Sequence, residues 1–287
     1  MDTKPDLIGL GRVGCGMRIG DIAVKTANTW TVPANASEYT SIVYQQTNRT
    51  NEESLIHEGR IYQRLAFVEG VLKPLHISNK EIRMPYIAHG SLDKHLSTNK
   101  TSINNEQRLG WFQNAAEIIN GVHEQRVIIA DIAARNFLIN KDLSLQLCED
   151  FLSIKFDIAR FGSTMYEIVS GNRYEFYVNP EIDKDLDDDE SKTYKDWPTS
   201  EQFPDTRNIF LGDIIRKCWL KDGYCSMKEV HTALHSTRAS IEAIEATLDW
   251  RYIFRVGSPI ITTIIFSMIV ARRLLWRKVV DTITFKH

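Results

Sequence analysis

The sequence predicts an α+β fold in two lobes, a β-rich N-terminal lobe followed by a helical C-terminal lobe with a cleft between them. Three observations carry this reading. Residues 7–32 are short apolar runs rich in Ile and Val and punctuated by glycines, and residues 71–87 alternate, both of which are strand signatures. From residue 108 onward the apolar positions recur mainly at helical spacing. The 287 residues, 43% apolar and 25% charged, supply enough apolar material for a sizeable core.

Taken in order, residues 7–32 hold two or three tight strands. Residues 33–51 are rich in Asn, Thr, Ser and Gln and read as a loop. Residues 52–65 put Leu55, Ile61, Tyr62 and Leu65 near helical spacing, an amphipathic helix of about four turns. Residues 71–87 are further strands. Residues 108–123 carry Leu109, Trp111, Phe112, Ala115, Ile118 and Ile119 on a strong helical face. Residues 127–131 and 137–148 read as short strands flanking a tight loop. Helices then follow at 157–169, 209–219 and 226–235, separated by polar loops that include the acidic run 183–192, a solvated stretch. There is no internal repeat.

Charge and cysteine usage narrow the function classes. Lys plus Arg total 35 against 37 Asp plus Glu, a formal charge of −2 that offers no basic stripe for nucleic acid. Cys15, Cys148, Cys218 and Cys225 lack paired metal-ligand spacing and read as reduced thiols of a cytoplasmic chain. The start MDTKPDLIGLG shows no basic-then-apolar leader, so secretion is not expected. The sequons at Asn35 and Asn48 are read as chance in such a compartment.

Gly9, Gly11 and Gly14 fit G-x-G-x-x-G, a spacing in which missing side chains let backbone N–H groups approach phosphate oxygens. In a dinucleotide-binding unit a helix follows this pattern. Here strand-like sequence follows and ends in Ala23-Val24-Lys25. A glycine hairpin with a lysine on the next strand resembles the nucleotide loop of protein kinases. In that family the lysine contacts the α- and β-phosphates and pairs with a helix glutamate, which the resemblance puts at Glu58 in HEGRIYQRL. The bland alternatives are a surface lysine and a solvated helix glutamate. Gly16 departs from the family, which prefers Val above the adenine. The resemblance further implies adenine contacts from the backbone of Tyr86 and Ile87, behind Met84.

The most specific likeness is Val127-Ile-Ile-Ala-Asp131-Ile-Ala-Ala-Arg135-Asn136-Phe-Leu-Ile, which resembles the kinase catalytic loop. The resemblance makes Asp131 the catalytic base and Asn136, five residues on, a Mg²⁺ ligand; side chains at that spacing on one turn face the same γ-phosphate. Alternatively, Asp and Asn in a loop only cap backbone groups. The Ala-Ala-Arg stretch has the form common in tyrosine kinases, without deciding between tyrosine and serine or threonine. The family's His-Arg is replaced by Ile129-Ala130. Ile129 is expected to fill an apolar column beside Tyr62 and Phe151, and Ala130 removes the arginine that pairs with a phosphorylated activation loop.

Leu147-Cys148-Glu149-Asp150-Phe151-Leu152 resembles the family's magnesium motif with its glycine lost and one acidic residue too many. The interval from Asn136 selects Glu149, and alignment of the Asp-Phe pair selects Asp150; both stay open as Mg²⁺ ligands. Phe156-Asp157-Ile-Ala-Arg-Phe-Gly162 resembles a kinase helix signature whose aspartate accepts hydrogen bonds from catalytic-loop backbone. Only six residues separate Asp150 from Asp157, where the family places its whole activation segment. Pro180-Glu181 follows in the wrong order to replace it. Phe203-Pro-Asp, the stretch from Leu211 to Cys218-Trp219, and Tyr224-Cys-Ser-Met-Lys-Glu-Val resemble the terminal helices of small fungal kinase-like proteins.

The resemblance covers residues 7–237, with an N-lobe of about 7–87, a C-lobe of about 88–237 and the activation segment missing near 151–156. Residues 238–287 form a C-terminal extension. Its residues 256–271 are 16 positions without a charge, short of the roughly 20 apolar residues that cross a bilayer. A buried or partner-binding segment and a C-terminal membrane anchor are the two readings of it. The resemblance implies ATP and Mg²⁺ as cofactors and ATP-dependent phosphotransfer to protein hydroxyls, impaired by the missing segment. A non-catalytic pseudokinase scaffold and the product of a shortened transcript are the alternatives.

Overall fold

The structure, a computed structural model, describes residues 5–99, 102–129, 131–147, 154–176 and 197–247, without the side chains of 244–247. Ala130, Cys148, Glu149, Asp150, Phe151, Leu152, the acidic run, Pro180-Glu181 and the apolar stretch 256–271, all singled out above, lie outside these residues.

Three strands open the chain, β1 (Asp6–Leu10), β2 (Gly14–Ile19) and β3 (Ile22–Ala27). With β4 (His76–Ile77) and β5 (Glu81–Pro85) they form one antiparallel sheet in the order β1-β2-β3-β5-β4. Gly20, at positive φ, makes the tight β2–β3 turn with Asp21, a conformation that glycine adopts without a steric penalty.

The helix α1 (Glu38–Arg64) packs beside this sheet and is twice as long as its apolar spacing predicts. Its first half falls in the stretch read as a loop. Ser37 caps it by accepting the Thr40 N–H. Two asparagines then tie it to the chain leaving β3: Asn48 exchanges hydrogen bonds with both backbone groups of Trp30, and Asn51 donates to Asn28 O. A helix docked by amides shows no apolar stripe on that part of its surface, which is why periodicity missed it.

The C-terminal region is helical around one β hairpin. The helix α2 (Leu92–Thr98) was not foreseen; α3 (Asn105–Glu124) begins with a reciprocal capping box between Asn104 and Gln107. Residues 127–129 form no strand, contrary to the sequence reading; the Ile129 N–H donates to the Asp157 carboxylate instead. The hairpin is β6 (Phe137–Ile139) with β7 (Leu145–Leu147). The helices α4 (Ile154–Ser170), α5 (Gly212–Trp219) and α6 (Met227–Thr247) follow. The boundary expected at 237/238 falls inside α6, which packs along α3: Gln113 donates to Leu234 O and accepts from Arg238 Nε at 2.7 Å.

The core runs through Ile82 of the sheet, Phe112 and Ile119 of α3, Ile129 and Ile132 of the intervening loop, and Phe161 of α4. Tyr62 and Ile129, expected to share an apolar column, are both buried in it. Trp219 is fully buried against the rings of Tyr166, Tyr174 and Phe203, and its indole N–H donates to Ser163. Gly162 permits this packing, since a Cβ there would lie 2.7 Å from Cys218 Cβ.

Candidate functional site

The glycine turn joins β1 and β2. Gly11 N–H donates to Gly14 O at 2.8 Å, and Asn28 at the end of β3 holds the turn by donating from its side chain to Gly11 O and Arg12 O. Gly14 sits where no side chain fits: a Cβ would lie 2.8 Å from Thr26 O and 3.5 Å from Lys25 Cε. Gly9 lies on exposed β1 with open space at its Cβ position, and Gly16 faces Lys25 across the β2–β3 pair.

Lys25 Nζ meets Glu58 Oε2 at 2.6 Å. The glutamate is almost wholly buried on α1 while the lysine remains about a quarter exposed (7% against 24%), so the pair is anchored from the helix side. Gly59, next to Glu58, lets the helix approach the sheet: a Cβ there would lie 2.7 Å from Ile77 Cγ2. Met84 is buried at the end of β5. Of the two residues expected to meet adenine, Tyr86 has its N–H committed to Asp21 O at 2.9 Å and its ring beneath the Arg18 guanidinium at 4.1 Å. The Ile87 N–H has no partner among the described residues, whereas its carbonyl accepts from Gly90 N–H.

Asp131 and Asn136 lie together. Asn136 Nδ2 donates to Asp131 O at 2.7 Å and to Asp131 Oδ2 at 3.2 Å, which turns the amide nitrogen toward Asp131. Two arginines also face Asp131. Arg135 Nη2 donates to Oδ2, and Arg160 Nη2 from α4 donates to Oδ1 at 3.1 Å.

The helix α4 organises this loop through residues spaced i, i+3 and i+7, which share one face. Asp157 Oδ2 accepts the Ile129 N–H at 2.6 Å and faces His123 Nε2 at 2.8 Å; Arg160 meets Asp131; Thr164 Oγ1 donates to Ile132 O at 3.0 Å. Burial pushes the Asp157 carboxyl up to about 6, even though His123, the Ile129 N–H and Arg160 all favour its charged form. Asp157 Oδ1 has no partner among the described residues. The sequence reading named Asp157 but missed His123, Arg160 and Thr164. The i, i+3, i+7 spacing from Asp157 is the signal that would have found the last two. Asn28 and Asn51, which connect the glycine turn to α1, carry no such pattern.

As a site for a nucleotide, the lysine, its glutamate and the glycine turn fit a phosphate-bearing ligand. Asn136 is the one expected metal ligand among the described residues, which hold no cluster of three or more His, Cys, Asp or Glu side chains. No helix among them is long and apolar enough to cross a membrane. Cys15, Cys218 and Cys225 are free thiols.

A family model described as protein tyrosine and serine/threonine kinase matches residues 35–157, a span that contains Glu58, Asp131, Asn136 and Asp157. Lys25 and the glycine turn precede it. No curated protein matches the chain significantly.

Proposed function

We propose that the chain is a member of the protein kinase superfamily, whose model matches residues 35–157, and that it binds Mg·ATP and transfers phosphate to protein hydroxyls poorly or not at all. The observation that carries the binding half is the Lys25–Glu58 pair, a cation held by a buried carboxylate at 2.6 Å beside a turn in which Gly14 has no room for a side chain. In this reading the lysine meets the α- and β-phosphates, Gly11 and Gly14 let the turn backbone approach them, and the Ile87 N–H faces adenine. Asn136, with Glu149 or Asp150, holds Mg²⁺, which would neutralise the developing charge on the transferred phosphoryl group.

The weak-transfer half follows from chain length. Six residues lie between Leu147 of β7 and Ile154 of α4, too few to form a platform that aligns an acceptor hydroxyl. Phosphoryl transfer relies on positioning and charge stabilisation, and a misplacement of about 1 Å already costs around a hundredfold in rate.

Thermal-shift titration tests the binding. Bound ligand raises apparent stability by mass action, so Mg·ATP at millimolar concentration is expected to raise Tm and Lys25→Met to reduce the rise. No rise in the unmodified chain overturns nucleotide binding. Radiolabelled ATP with generic protein acceptors tests the transfer: incorporation is expected to stay near background. Robust incorporation that Asp131→Asn abolishes would show an active kinase.

A further inference from the structure

The contacts of Asp131 go beyond what a missing activation segment explains. Both of its carboxylate oxygens are engaged by guanidinium groups, Oδ2 by Arg135 and Oδ1 by Arg160. The two arginines come from different elements. Arg135 lies in the single 3₁₀ turn after Asp131, whereas Arg160 stands in the second turn of α4, one helical turn beyond Asp157.

Arg160 is held on its other side as well. Its Nη1 lies 3.7 Å from Glu175 Oε1, and Arg173 approaches that carboxylate in turn at 4.0 Å. The Arg160 side chain is 18% exposed and passes the ring of Phe156, its Cζ 5.8 Å from the centroid. The planar fork therefore bridges two carboxylates, one per terminal nitrogen, from a helix whose neighbouring residues are fixed to the same loop by Asp157 and Thr164. A guanidinium stays charged at every pH a protein survives, so the engagement does not lapse on titration of the arginine.

We propose that Arg160 makes Asp131 the counter-ion of an arginine clamp, so that the chain's own guanidinium occupies the position from which an acceptor hydroxyl would hand over its proton. The inference rests on reading Asp131 as the base position of a phosphotransfer site, and it assigns the loss of that role to a residue of α4 rather than to absent chain alone. A general base must lie within hydrogen-bond reach of the proton it takes. Here both oxygens already accept from cations, so a hydroxyl must compete with them for the carboxylate's remaining lone pairs. The clamp ties the loop to α4 at a third point, so Asp131 stabilises the fold.

Two measurements on the full chain test this without nucleotide, so their outcome is separable from whether Mg·ATP binds. The first is urea unfolding of Asp131→Asn, a near-isosteric change. A carboxylate kept ready as a base gains nothing from the fold, and its neutralisation leaves stability unchanged or raises it. A clamped one loses two charge-assisted bonds, and the unfolding equilibrium constant is expected to rise about tenfold. In Arg160→Ala the same change at Asp131 is expected to cost at most about threefold, the sign of a coupled pair. The second is modification of carboxyl groups by a water-soluble carbodiimide with an amine, read by mass spectrometry at Asp131. Arg160→Ser is expected to speed labelling at Asp131 about tenfold, and Arg160→Lys, which keeps the charge without the fork, to give an intermediate rate. Asp131→Asn that leaves stability unchanged or raises it, or Asp131 labelling equal in the unmodified chain and Arg160→Ser, overturns the clamp.

Discussion

The proposed nucleotide side and the proposed acceptor side of this molecule solve the same electrostatic problem in opposite ways. On the proposed nucleotide side Lys25 meets the buried carboxylate of Glu58 and keeps about a quarter of its side chain exposed. On the acceptor side one carboxylate, Asp131, meets two guanidinium groups. The first arrangement holds a cation in place and presents it to an anionic ligand. The second surrounds an anion until nothing else needs to come. The difference teaches that the residues which identify a family position say little about availability: Lys25 and Asp131 both match their motifs, and their surroundings separate them.

The largest way to break the comparison is to remove the scaffold that carries the acceptor side. Trp219→Ala empties the space enclosed by Tyr166, Tyr174 and Phe203 and removes the indole donor to Ser163 on α4. Urea unfolding is expected to show a loss of about 3–5 kcal/mol, a large part of the 5–15 kcal/mol typical of a domain. A loss under 1 kcal/mol would mean that α4 is held by its loop contacts alone.

A smaller effect sharpens the comparison through pH. The folded Asp157 carboxyl, pushed up to about 6 by burial, binds a proton more tightly than it does in the unfolded chain. Its contribution is therefore fully present below about pH 4 and is lost as pH rises through about 6. The groups facing it are His123 from α3, the Ile129 N–H and Arg160. Relative to Asp157→Asn, the unmodified chain is expected to lose about 2 kcal/mol between pH 4 and pH 7. Equal slopes in the two proteins would place the pH dependence elsewhere.

On the nucleotide side, Glu58→Ala leaves Lys25 beside α1 without its buried carboxylate, and a partly exposed cation regains water easily. The expected loss is about 1–2 kcal/mol in urea unfolding, with the Mg·ATP thermal shift reduced at the same time. An unchanged shift would mean that the lysine is positioned by something other than Glu58.

The α+β organisation and the order of the main elements were legible because strands and amphipathic helices bury apolar residues at regular spacing. The strands β5, β6 and β7, α3 and most of α4 follow that rule, whereas β1 is exposed along its length. What periodicity missed was held by other means. The first half of α1 docks through Asn48 and Asn51 onto backbone groups, and α2 is too short at seven residues to show a period. The middle of α6, just past the stretch that periodicity predicts, is tied by Arg238 to Gln113, a contact across 125 positions of sequence. The site divides likewise. Lys25, Glu58, Asp131 and Asn136 were chosen by likeness to a family and lie in two contacting pairs. Arg160 lies inside the helix signature at a position that the likeness leaves unassigned, and its meaning arises where α4 crosses the loop. Tyr86 was singled out for backbone that the fold already uses.

The smallest effect concerns the glycine turn, and it asks whether the nucleotide side is held as firmly as the acceptor side. Asn51 on α1 is buried and donates to Asn28 O at 2.9 Å; Asn28 in turn donates to Gly11 O and Arg12 O. These amides form a relay from helix to turn, but every bond is neutral and the last two are exposed to solvent. Neutral exposed hydrogen bonds contribute about 0.5–1 kcal/mol each, against two or three times that for bonds to charged groups. Asn28→Ala is therefore expected to leave global unfolding within about 0.5 kcal/mol of the unmodified chain. The local effect should be clearer. Gly11 N–H, now bonded to Gly14 O at 2.8 Å, should exchange with solvent roughly threefold to tenfold faster once the turn loses its anchor. The Asp131 loop, pinned at Ile129, Asp131 and Ile132 by one helix face, should show no change in the same experiment. If Gly11 exchange is unaltered in Asn28→Ala, the turn is rigid through its own backbone bond, and the asymmetry between the two sides lies in charge alone rather than in how tightly each is held.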